Sequence, residues 1–450
     1  MSPFRKTNRS AYVNYLRAKY ETYTGEVEVR SYPYFLCLDP SDKCQLRCPT
    51  CPTGIENESR RNRSGNPLIF RSERHTLTED LLEALLDELG EYLFLINFYN
   101  YGEPLLNKNL PSFVRRTAAL AIDTEIHTNL SLPLSDQFIE DLLTSGLGHL
   151  QASIDGFSQE TYQVHRVGGD FSLVKHNLER FVATRDRLGL PTEISYNFLV
   201  FSFNEHELHD ARAYCKNLGI PFNDRDAFVD NPDWLPSYRR HEKAWRLPMS
   251  ARLKEDVPEG WSPMPVLDET RCPPACGWHH GFSVVTAGGS VAPCCALAKD
   301  RDDFGVVVPG RTRFADVWNN DRFRVSRAVF AGRKIAGLED LETICTRCPY
   351  PTFLQHLYAI YDAQVMTQFA TLFTGSDPLL EQAFDLLSRT RAGMSLDDLR
   401  RQGRITSLNE LFIGNESTKD THEFVEFFKS ALNNEPSILP VNAAARVASV

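Results

Sequence analysis

Three cysteines that lie close together in the chain have the spacing of an iron–sulfur ligand loop. Cys44, Cys48 and Cys51 form a C-x3-C-x2-C pattern directly after the first apolar, strand-like run. Such a loop can place three thiolates around one cubic cluster and leave the fourth iron open. The alternatives are a zinc knot and three cysteines packed as small apolar residues, but zinc usually takes four ligands and no second pair lies nearby. We therefore predict a reactive iron–sulfur centre.

Four further cysteines have the spacing of a second metal centre. Gly288-Gly289 predicts a hairpin turn between strands at 282–286 and 290–292, which would bring two of these cysteines to one end of a ribbon. A later C-x2-C pair would close the site, and four thiolates would ligate it fully. Spacing alone allows either a zinc ribbon or an iron–sulfur cluster. The candidate ligands are Cys276, Cys294, Cys345 and Cys348.

The other four of the 11 cysteines are placed less regularly. Cys272 and Cys295 each lie beside a candidate ligand, so either can replace that neighbour or remain as a free thiol near the reacting centre. Cys37 and Cys215 stand apart, and we expect both to be buried as small apolar side chains. Clustered cysteines of odd number in a chain of this length are more typical of metal ligands than of a disulfide framework.

The elements that must position these cysteines alternate between two periodicities from about residue 34 to 225. The clearest helix is 79–89, with five leucines on one face, Thr76 and Glu79 in capping-box spacing, and Gly90 at its end. About six strand–helix units in series predict a parallel α/β sheet, closed or open. Further helices are predicted at 110–120, 135–144, 173–188 and 205–218. The strand-like runs lie at 34–39, 92–98, 123–128, 149–155, 193–201 and 220–222.

The length of 450 residues predicts more than one domain. We expect a helical lead-in at 1–33 and the α/β core at 34–227. A connector rich in Pro and Trp follows at 228–270. Residues 271–350 carry the second group of cysteines, and residues 351–450 form a mostly helical extension.

Charge and hydropathy exclude several classes of protein. The 49 Lys and Arg residues against 59 Asp and Glu give a net charge of −10. A general nucleic-acid binder needs a basic surface, so that class is disfavoured. No apolar run is long enough to cross a bilayer, and the first residues lack the apolar region of a secretory signal. We expect a cytoplasmic protein with neither a nucleic-acid nor a membrane partner.

Beyond the cysteine loop, short motifs follow the ends of successive predicted strands. Tyr101-Gly-Glu-Pro104 follows the second strand, His127-Thr-Asn129 closes the third, and Ser153-Ile-Asp-Gly156 closes the fourth. Tyr162-x3-Arg166 comes next, before a Gly-Gly pair. Each motif is weak alone, but ligands of parallel sheets bind at the carboxyl ends of strands, where these motifs fall. In this order and placement, the chain resembles the radical SAM (S-adenosylmethionine) enzymes from about residue 34 to 350.

This resemblance implies a fold and a set of cofactor contacts. The fold is a partial (βα)6 TIM-like barrel for the core. Arg166 would pair with the methionine carboxylate of SAM, where a guanidinium can bind in bidentate fashion. Thr50 departs from the large apolar residue common before the third cysteine. The segment Tyr101, Gly102, Glu103 and Pro104, with Tyr101 in place of a glycine, would hold the methionine amino group. The other implied cofactor contacts are Thr128, Asn129, Ser153 and Asp155.

The segment 271–350 resembles the auxiliary-cluster extension called SPASM, in its short "twitch" form. The full form carries further cysteines soon after the C-x2-C pair, whereas no cysteine follows Cys348. The resemblance therefore implies one auxiliary [4Fe–4S] cluster and two [4Fe–4S] clusters in all. It also implies a small β-hairpin/helix auxiliary-cluster domain between the barrel and the helical C-terminal extension.

The chemistry that the resemblance implies starts with reductive cleavage of SAM, using a reductant such as flavodoxin or ferredoxin. The resulting 5′-deoxyadenosyl radical removes a hydrogen atom from an unactivated C–H bond. The substrate radical then has two fates. The auxiliary cluster can oxidise it, giving oxidation or bond formation. Alternatively, Cys295 or Cys272 can return a hydrogen atom from the opposite face, giving an epimer.

Three functions from two classes fit these features. We predict an oxidoreductase or isomerase that modifies a ribosomally made peptide in natural-product biosynthesis, because the long helical tail exceeds what a small substrate needs. The alternative enzyme is a dehydrogenase or epimerase of a sugar, an aminocyclitol or another small polar metabolite. The third reading is a zinc-stabilised binding protein without activity. The open three-cysteine loop and the motifs after it argue against that reading.

Overall fold

Six parallel strands in chain order form the central sheet. The structure is a computed structural model that describes residues 4–61, 69–226, 232–237, 276, 278–295, 297–347, 353–373, 375–390 and 418–433. Each strand pairs with its predecessor, which confirms the six predicted units. The sheet does not close on itself within these residues, as expected of a partial barrel. The strands are β1 (Phe35–Leu38), β2 (Leu95–Asn97), β3 (Asp123–Thr128), β4 (His149–Ser153), β5 (Glu193–Val200) and β6 (Phe222–Asp226).

The connecting helices lie on one face of this sheet. Parallel crossovers are right-handed, so strands that follow one another in order place all of their helices on the same side. That face is apolar and buried, as shown by Leu36, Ile126 and Leu150. The opposite face is mostly polar on β3 to β6, although it carries the apolar side chains of Phe35 and Leu95 on β1 and β2. The helices are α2 (Pro52–Arg61), α3 (Glu79–Leu89), α4 (Leu110–Ala119), α5 (Asp136–Leu143), α6 (Gln159–His165), α7 (Phe171–Leu188) and α8 (Leu208–Leu218).

Helix ends show where local capping overrides the periodic pattern. The predicted helix at 79–89 is confirmed, but the residue that caps it is Thr78, whose hydroxyl accepts a hydrogen bond from the Leu81 amide, and not Thr76. Helix α7 begins at Phe171, two residues earlier than predicted. It does so because the Asp170 carboxylate accepts two amide hydrogen bonds in the first turn.

The predicted hairpin is present and joins the central sheet. Strands β7 (Phe282–Val285) and β8 (Ser290–Ala292) are antiparallel, and β9 (Gly305–Val306) pairs with β8. Strand β7 pairs in parallel with β1, so a single nine-stranded sheet runs from β6 to β9. Gly289 turns the hairpin with φ +88°, a conformation that L side chains rarely adopt. Three short helices accompany this region: α9 (Trp278–Gly281), α10 (Phe314–Trp318) and α11 (Asp321–Phe330).

The N-terminal helix packs against helices from the far end of the chain. Helix α1 (Arg9–Thr24) contacts α12 (Phe353–Phe373), α13 (Pro378–Thr390) and α14 (Thr418–Phe427). Lys19 and Asp362 form an ion pair of 2.6 Å between α1 and α12. None of the described helices combines the length and the hydropathy that a bilayer crossing requires.

Candidate cofactor and metal centres

The loop that carries the first three cysteines is held tightly at the carboxyl end of β1. The Asn57 side chain donates to the carbonyls of Cys44 and Leu46, at 2.9 and 2.6 Å. A Cβ added to Gly54 would lie 2.3 Å from the Cys48 carbonyl oxygen, so only glycine fits there. Local hydrogen bonds thus fold this loop back over the first turn of α2.

The three thiols of this loop lie close enough to influence one another electrostatically. The described residues contain no group of three His, Cys, Asp or Glu side chains close enough to hold one metal ion. Even so, Cys44, Cys48 and Cys51 interact electrostatically, and a cubic cluster spreads its thiolates further apart than one zinc ion does. Burial raises the pKa of Cys48 to about 12, although Arg166 lowers it. Thiolates in such a place need a cationic centre to stabilise them.

The motif after β2 is locked against this loop. Gly102 has φ +88°, and a Cβ there would lie 1.9 Å from the Ser41 carbonyl oxygen. The Glu103 amide donates to the Lys43 carbonyl at 2.7 Å, and the Tyr101 amide donates to Asp39 Oδ1 at 2.9 Å. Glycine is therefore required at the second position of the motif, whereas the first position accepts tyrosine.

Glu103 joins the ends of two strands to the cysteine loop. Its buried carboxylate accepts hydrogen bonds from the Thr128 hydroxyl at 2.6 Å and the Asn129 amide at 2.8 Å. The Asn129 side chain in turn donates to the Cys44 sulfur at 3.7 Å. Burial raises the pKa of Glu103, although the hydrogen bonds from Asn129 and Thr128 lower it. The structure thus brings Gly102, Glu103, Thr128, Asn129 and Cys44 together at one end of the sheet.

Arg166 is fixed over the same loop by a carboxylate. Its Nε lies 2.7 Å from Asp155 Oδ2, and its Nη1 lies 4.0 Å from the Cys48 sulfur. Asp155 also accepts hydrogen bonds from His165 Nδ1 at 2.7 Å and the Leu199 amide at 3.0 Å. Against the effect of burial, Arg166 and His165 lower the pKa of Asp155 to about 2. The contacts place Asp155 as a holder of Arg166, and Ser153 lies half-buried at the end of β4.

Sequence reasoning missed the partner of Thr50. The Thr50 hydroxyl lies 2.7 Å from His165 Nε2, so a buried chain runs from Thr50 through His165 to Asp155 and Arg166. Burial lowers the pKa of His165, although Asp155 opposes this effect. The sequence did carry a signal for this contact. Thr50 replaces the apolar residue common before the third cysteine, and His165 directly precedes Arg166.

The second group of cysteines flanks the hairpin strands β7 and β8. Because β7 is parallel to β1, the hairpin turn lies near the first cysteine loop, while Cys276, which precedes α9 and β7, lies towards the amino end of β1. Cys294 follows β8. The Cys345 sulfur is 3.3 Å from His279 Nε2, and the His279 amide donates to the Cys276 carbonyl at 3.2 Å. Cys276, Cys345 and His279 are therefore neighbours. His279 carried no sequence signal. Cys348 and Cys272 lie outside the described residues.

Cys295 connects this region to the first site. Its carbonyl accepts a hydrogen bond from the Tyr101 hydroxyl at 3.2 Å, so the tyrosine of the motif after β2 contacts the segment that follows β8. Cys37 and Cys215 are both buried, as expected. Cys37 faces the polar side of the sheet and accepts a weak hydrogen bond from Asn97 at 3.9 Å.

Comparisons with known proteins agree with this arrangement. The profile of the radical SAM superfamily matches residues 38–214, and the profile of the SPASM iron–sulfur cluster-binding domain matches residues 276–349. The chain is 26% identical to PqqA peptide cyclase of Bradyrhizobium diazoefficiens over 291 residues, covering 61% of this chain and 70% of that protein. It is 26% identical to GTP 3′,8-cyclase of Rippkaea orientalis over 222 residues, covering 45% and 61%.

Solved structures that align with this chain include Streptococcus suis SuiB bound to the precursor peptide SuiA. That chain aligns with a TM-score of 0.46 and 14% identity, covering 76% of this chain and 75% of that one. BtrN in complex with AdoMet and 2-DOIA aligns with a TM-score of 0.37 and 16% identity, covering 67% and 88%. The two matching profiles, taken with the geometry of the cysteine loop, identify the chain as a member of the radical SAM superfamily with a SPASM iron–sulfur domain, whose cofactors are S-adenosylmethionine and [4Fe–4S] clusters.

Proposed function

We propose that this radical SAM enzyme modifies a ribosomally made peptide in natural-product biosynthesis, by epimerisation or oxidative bond formation. The observation that supports a peptide substrate is the share of this chain that each group of relatives matches. The matches to PqqA peptide cyclases cover 59–72% of this chain, whereas those to GTP cyclases cover 43–45%. An enzyme of a small polar metabolite is the alternative outcome of the test below.

The residues of the first site have separate tasks in this proposal. Cys44, Cys48 and Cys51 hold the first cluster, which with bound SAM supplies one-electron cleavage and a carbon radical. Glu103 keeps the segment around Gly102 in place to receive the methionine amino group. Arg166 binds the methionine carboxylate, and Asp155 sets the orientation of that guanidinium.

In this proposal, the residues of the second site determine whether the substrate radical is oxidised or receives a hydrogen atom. Cys276, Cys294, Cys345 and Cys348 hold the auxiliary cluster, which supplies an electron acceptor for a substrate radical. Cys295 and Cys272 are the proposed hydrogen donors if the product is an epimer. We propose that the enzyme works in the cytoplasm with flavodoxin or ferredoxin as its reductant.

The first test is the cluster content. After anaerobic reconstitution we expect about eight Fe and eight sulfide per chain, because three and four thiolates hold two [4Fe–4S] clusters. Replacing Cys44, Cys48 and Cys51 together with Ala should leave about four of each. Stoichiometric zinc with little sulfide in anaerobically made protein would contradict the assignment.

The second test is the reaction. Reduced holoenzyme should convert SAM to 5′-deoxyadenosine and methionine, and Cys48→Ala should abolish this conversion. The substrate for this test is a precursor peptide from a short gene beside that of the enzyme, prepared in deuterated form. Deuterium should move from this peptide to 5′-deoxyadenosine, and the peptide should change mass or configuration. Deuterium transfer only from a sugar or aminocyclitol would favour the alternative. S-adenosylhomocysteine as the main product would contradict the reaction class.

A further inference from the structure

The face of the sheet away from the crossover helices carries an unusual row of polar side chains. Strand pairing places residues of odd number from neighbouring strands side by side on this face. Three of these side chains, Asn97, Gln151 and Asn197, are 3–5% exposed. Buried polar groups destabilise a fold unless they are paired, so a row of them on one face requires an explanation. The members are Asn97, Glu125, His127, His149, Gln151, Ser195, Asn197 and Arg225.

In one half of this row the carboxylate is paired with histidines. Glu125 Oε1 lies 2.7 Å from His127 Nε2 and 3.3 Å from His149 Nδ1. His149 Nε2 contacts the Ser195 hydroxyl at 2.7 Å. Against the effect of burial, the two histidines hold the pKa of Glu125 well below its usual range. The carboxylate on this face is thus stabilised without Arg225.

The other half holds a guanidinium between neutral groups. Arg225 Nε donates to Asn197 Oδ1 at 2.7 Å, and its Nη2 lies 3.4 Å from Gln151 Oε1. Among the described side chains, no carboxylate lies within 4.0 Å of Arg225. The neighbouring Asp224 pairs with Arg212 instead, at 3.0 Å. The two amides orient the guanidinium but supply no negative charge.

Arg225 also lies at the edge of the sheet where the cofactor motifs converge. It pairs in register with Leu199 of β5, and the Leu199 amide donates to Asp155, the residue that holds Arg166. In addition, Asn97 Oδ1 is buried without a hydrogen-bond partner among the described residues. The face therefore carries an oriented cation on β6 and, four strands away on β2, an unsatisfied polar atom.

We propose that Arg225, oriented by Asn197 and Gln151, binds the carboxylate of an acidic residue of the peptide substrate. This inference rests on the proposed function, because it assigns the open polar face to the peptide. A guanidinium held by two amides is pre-organised for a bidentate contact with a carboxylate, which an ammonium would not reproduce. The contact would fix an acidic side chain beside the SAM site.

The test compares two probe peptides, N-acetyl-Gly-Glu-Gly-amide and N-acetyl-Gly-Gln-Gly-amide, titrated into reconstituted holoenzyme with SAM. We expect the Glu peptide to bind about tenfold more tightly than the Gln peptide. Arg225→Gln should remove this preference. Arg225→Glu should instead favour the matching Lys peptide. Arg212→Gln, which removes a nearby exposed arginine, should leave the preference intact.

Equal affinity of wild type for both peptides, including no detectable binding of either, would overturn the assignment. So would an unchanged preference in Arg225→Gln. Arg225 is exposed, so its variants should fold, and unchanged iron content and melting temperature verify this. The titration needs no turnover. A preference seen without any peptide modification would therefore count against the proposed function alone, whereas modification without a preference would count against Arg225 alone.

Discussion

Arg166 is positioned by charges that the protein keeps out of water. Asp155 is fully buried, and its carboxylate contacts Arg166, His165 and a backbone amide. Sequence motifs could place Asp155 after the fourth strand and Arg166 before the Gly-Gly pair that follows, but not in contact with each other. That contact depends on how α6 returns to β4, for which the sequence carries no local signal.

The pKa of Asp155 predicts how this arrangement responds to acid. The folded protein lowers this pKa from 3.8 to about 2, so the carboxylate contributes stability above pH 3.8 and loses it as the pH falls towards 2. The contribution is roughly 2 kcal/mol of the free energy of unfolding. We expect the stability difference between wild-type and Asp155→Asn apoprotein in urea to shrink over that interval. A difference that stays constant from pH 5 to 2.5 would contradict the ion pair.

Cys295 is the one of the two proposed hydrogen donors that lies within the described residues. Its backbone carbonyl contacts Tyr101 of the motif after β2. If the reaction is an epimerisation, Cys295→Ala should retain both clusters and deuterium transfer to 5′-deoxyadenosine, yet give no inverted product. Mass spectrometry of peptide treated in deuterated water measures this.

The control for Cys295 is Cys215→Ala, because Cys215 is buried in α8 and should not affect the product. A product two hydrogens lighter in wild type would indicate oxidation instead. Full epimerisation by Cys295→Ala would leave Cys272 as the remaining proposed donor.

At the scale of elements, the periodic patterns predicted most strands and helices, the parallel order of the six strands and the hairpin, but not the pairing of the hairpin with β1. The prediction for β6, 220–222, overlaps the observed strand only at Phe222. The bounds of β3 agree with the prediction, and those of α4 and α5 differ only at their ends. The parallel pairing of β7 with β1 joins segments almost 250 residues apart, Phe35 with Phe282. No local pattern specifies such a partner, since both strands are simply apolar.

Arg327 of α11 is the polar centre of this junction. It is 1% exposed, and its guanidinium donates to the carbonyls of His279 and Trp318, both at 2.8 Å, and to Val27 at 3.2 Å. These acceptors belong to the lead-in, α9 and α10. One side chain therefore ties three elements together around the second group of cysteines.

We expect Arg327→Lys to lower the free energy of unfolding by about 3 kcal/mol, because a lysine cannot reach all of these acceptors and leaves carbonyls buried without partners. The auxiliary cluster should be lost first, seen as a fall in iron from about eight towards four per chain. Arg333→Lys is the control, since Arg333 makes similar carbonyl contacts at an exposed site. Equal stability of the two variants would contradict a central role for Arg327.

At the scale of the whole molecule, helix α1 and the described helices after residue 352 form one packed layer. Tyr12 and Tyr15 of α1 contact Phe369, Phe373 and Phe384 of α12 and α13, with ring centroids 4.9–6.2 Å apart. Sequence patterns predicted helices at both ends, but not that they would meet. The apolar stripes of the helices do not say which helix covers them.

This layer predicts that the C-terminal helices unfold together with the core. Phe384 is 4% exposed and stacks on Phe369 at 3.7 Å, so Phe384→Ala should lower the free energy of unfolding by about 3–5 kcal/mol. All five tryptophans precede residue 351, so their fluorescence reports on the rest of the chain. We expect the tryptophan transition of Phe384→Ala apoprotein in urea to move to lower concentration. Leu372→Ala, at a partly buried position, should move it much less. If Phe384→Ala left the tryptophan transition unchanged, the C-terminal helices would fold independently, and their packing on α1 would contribute nothing to the stability of the catalytic core.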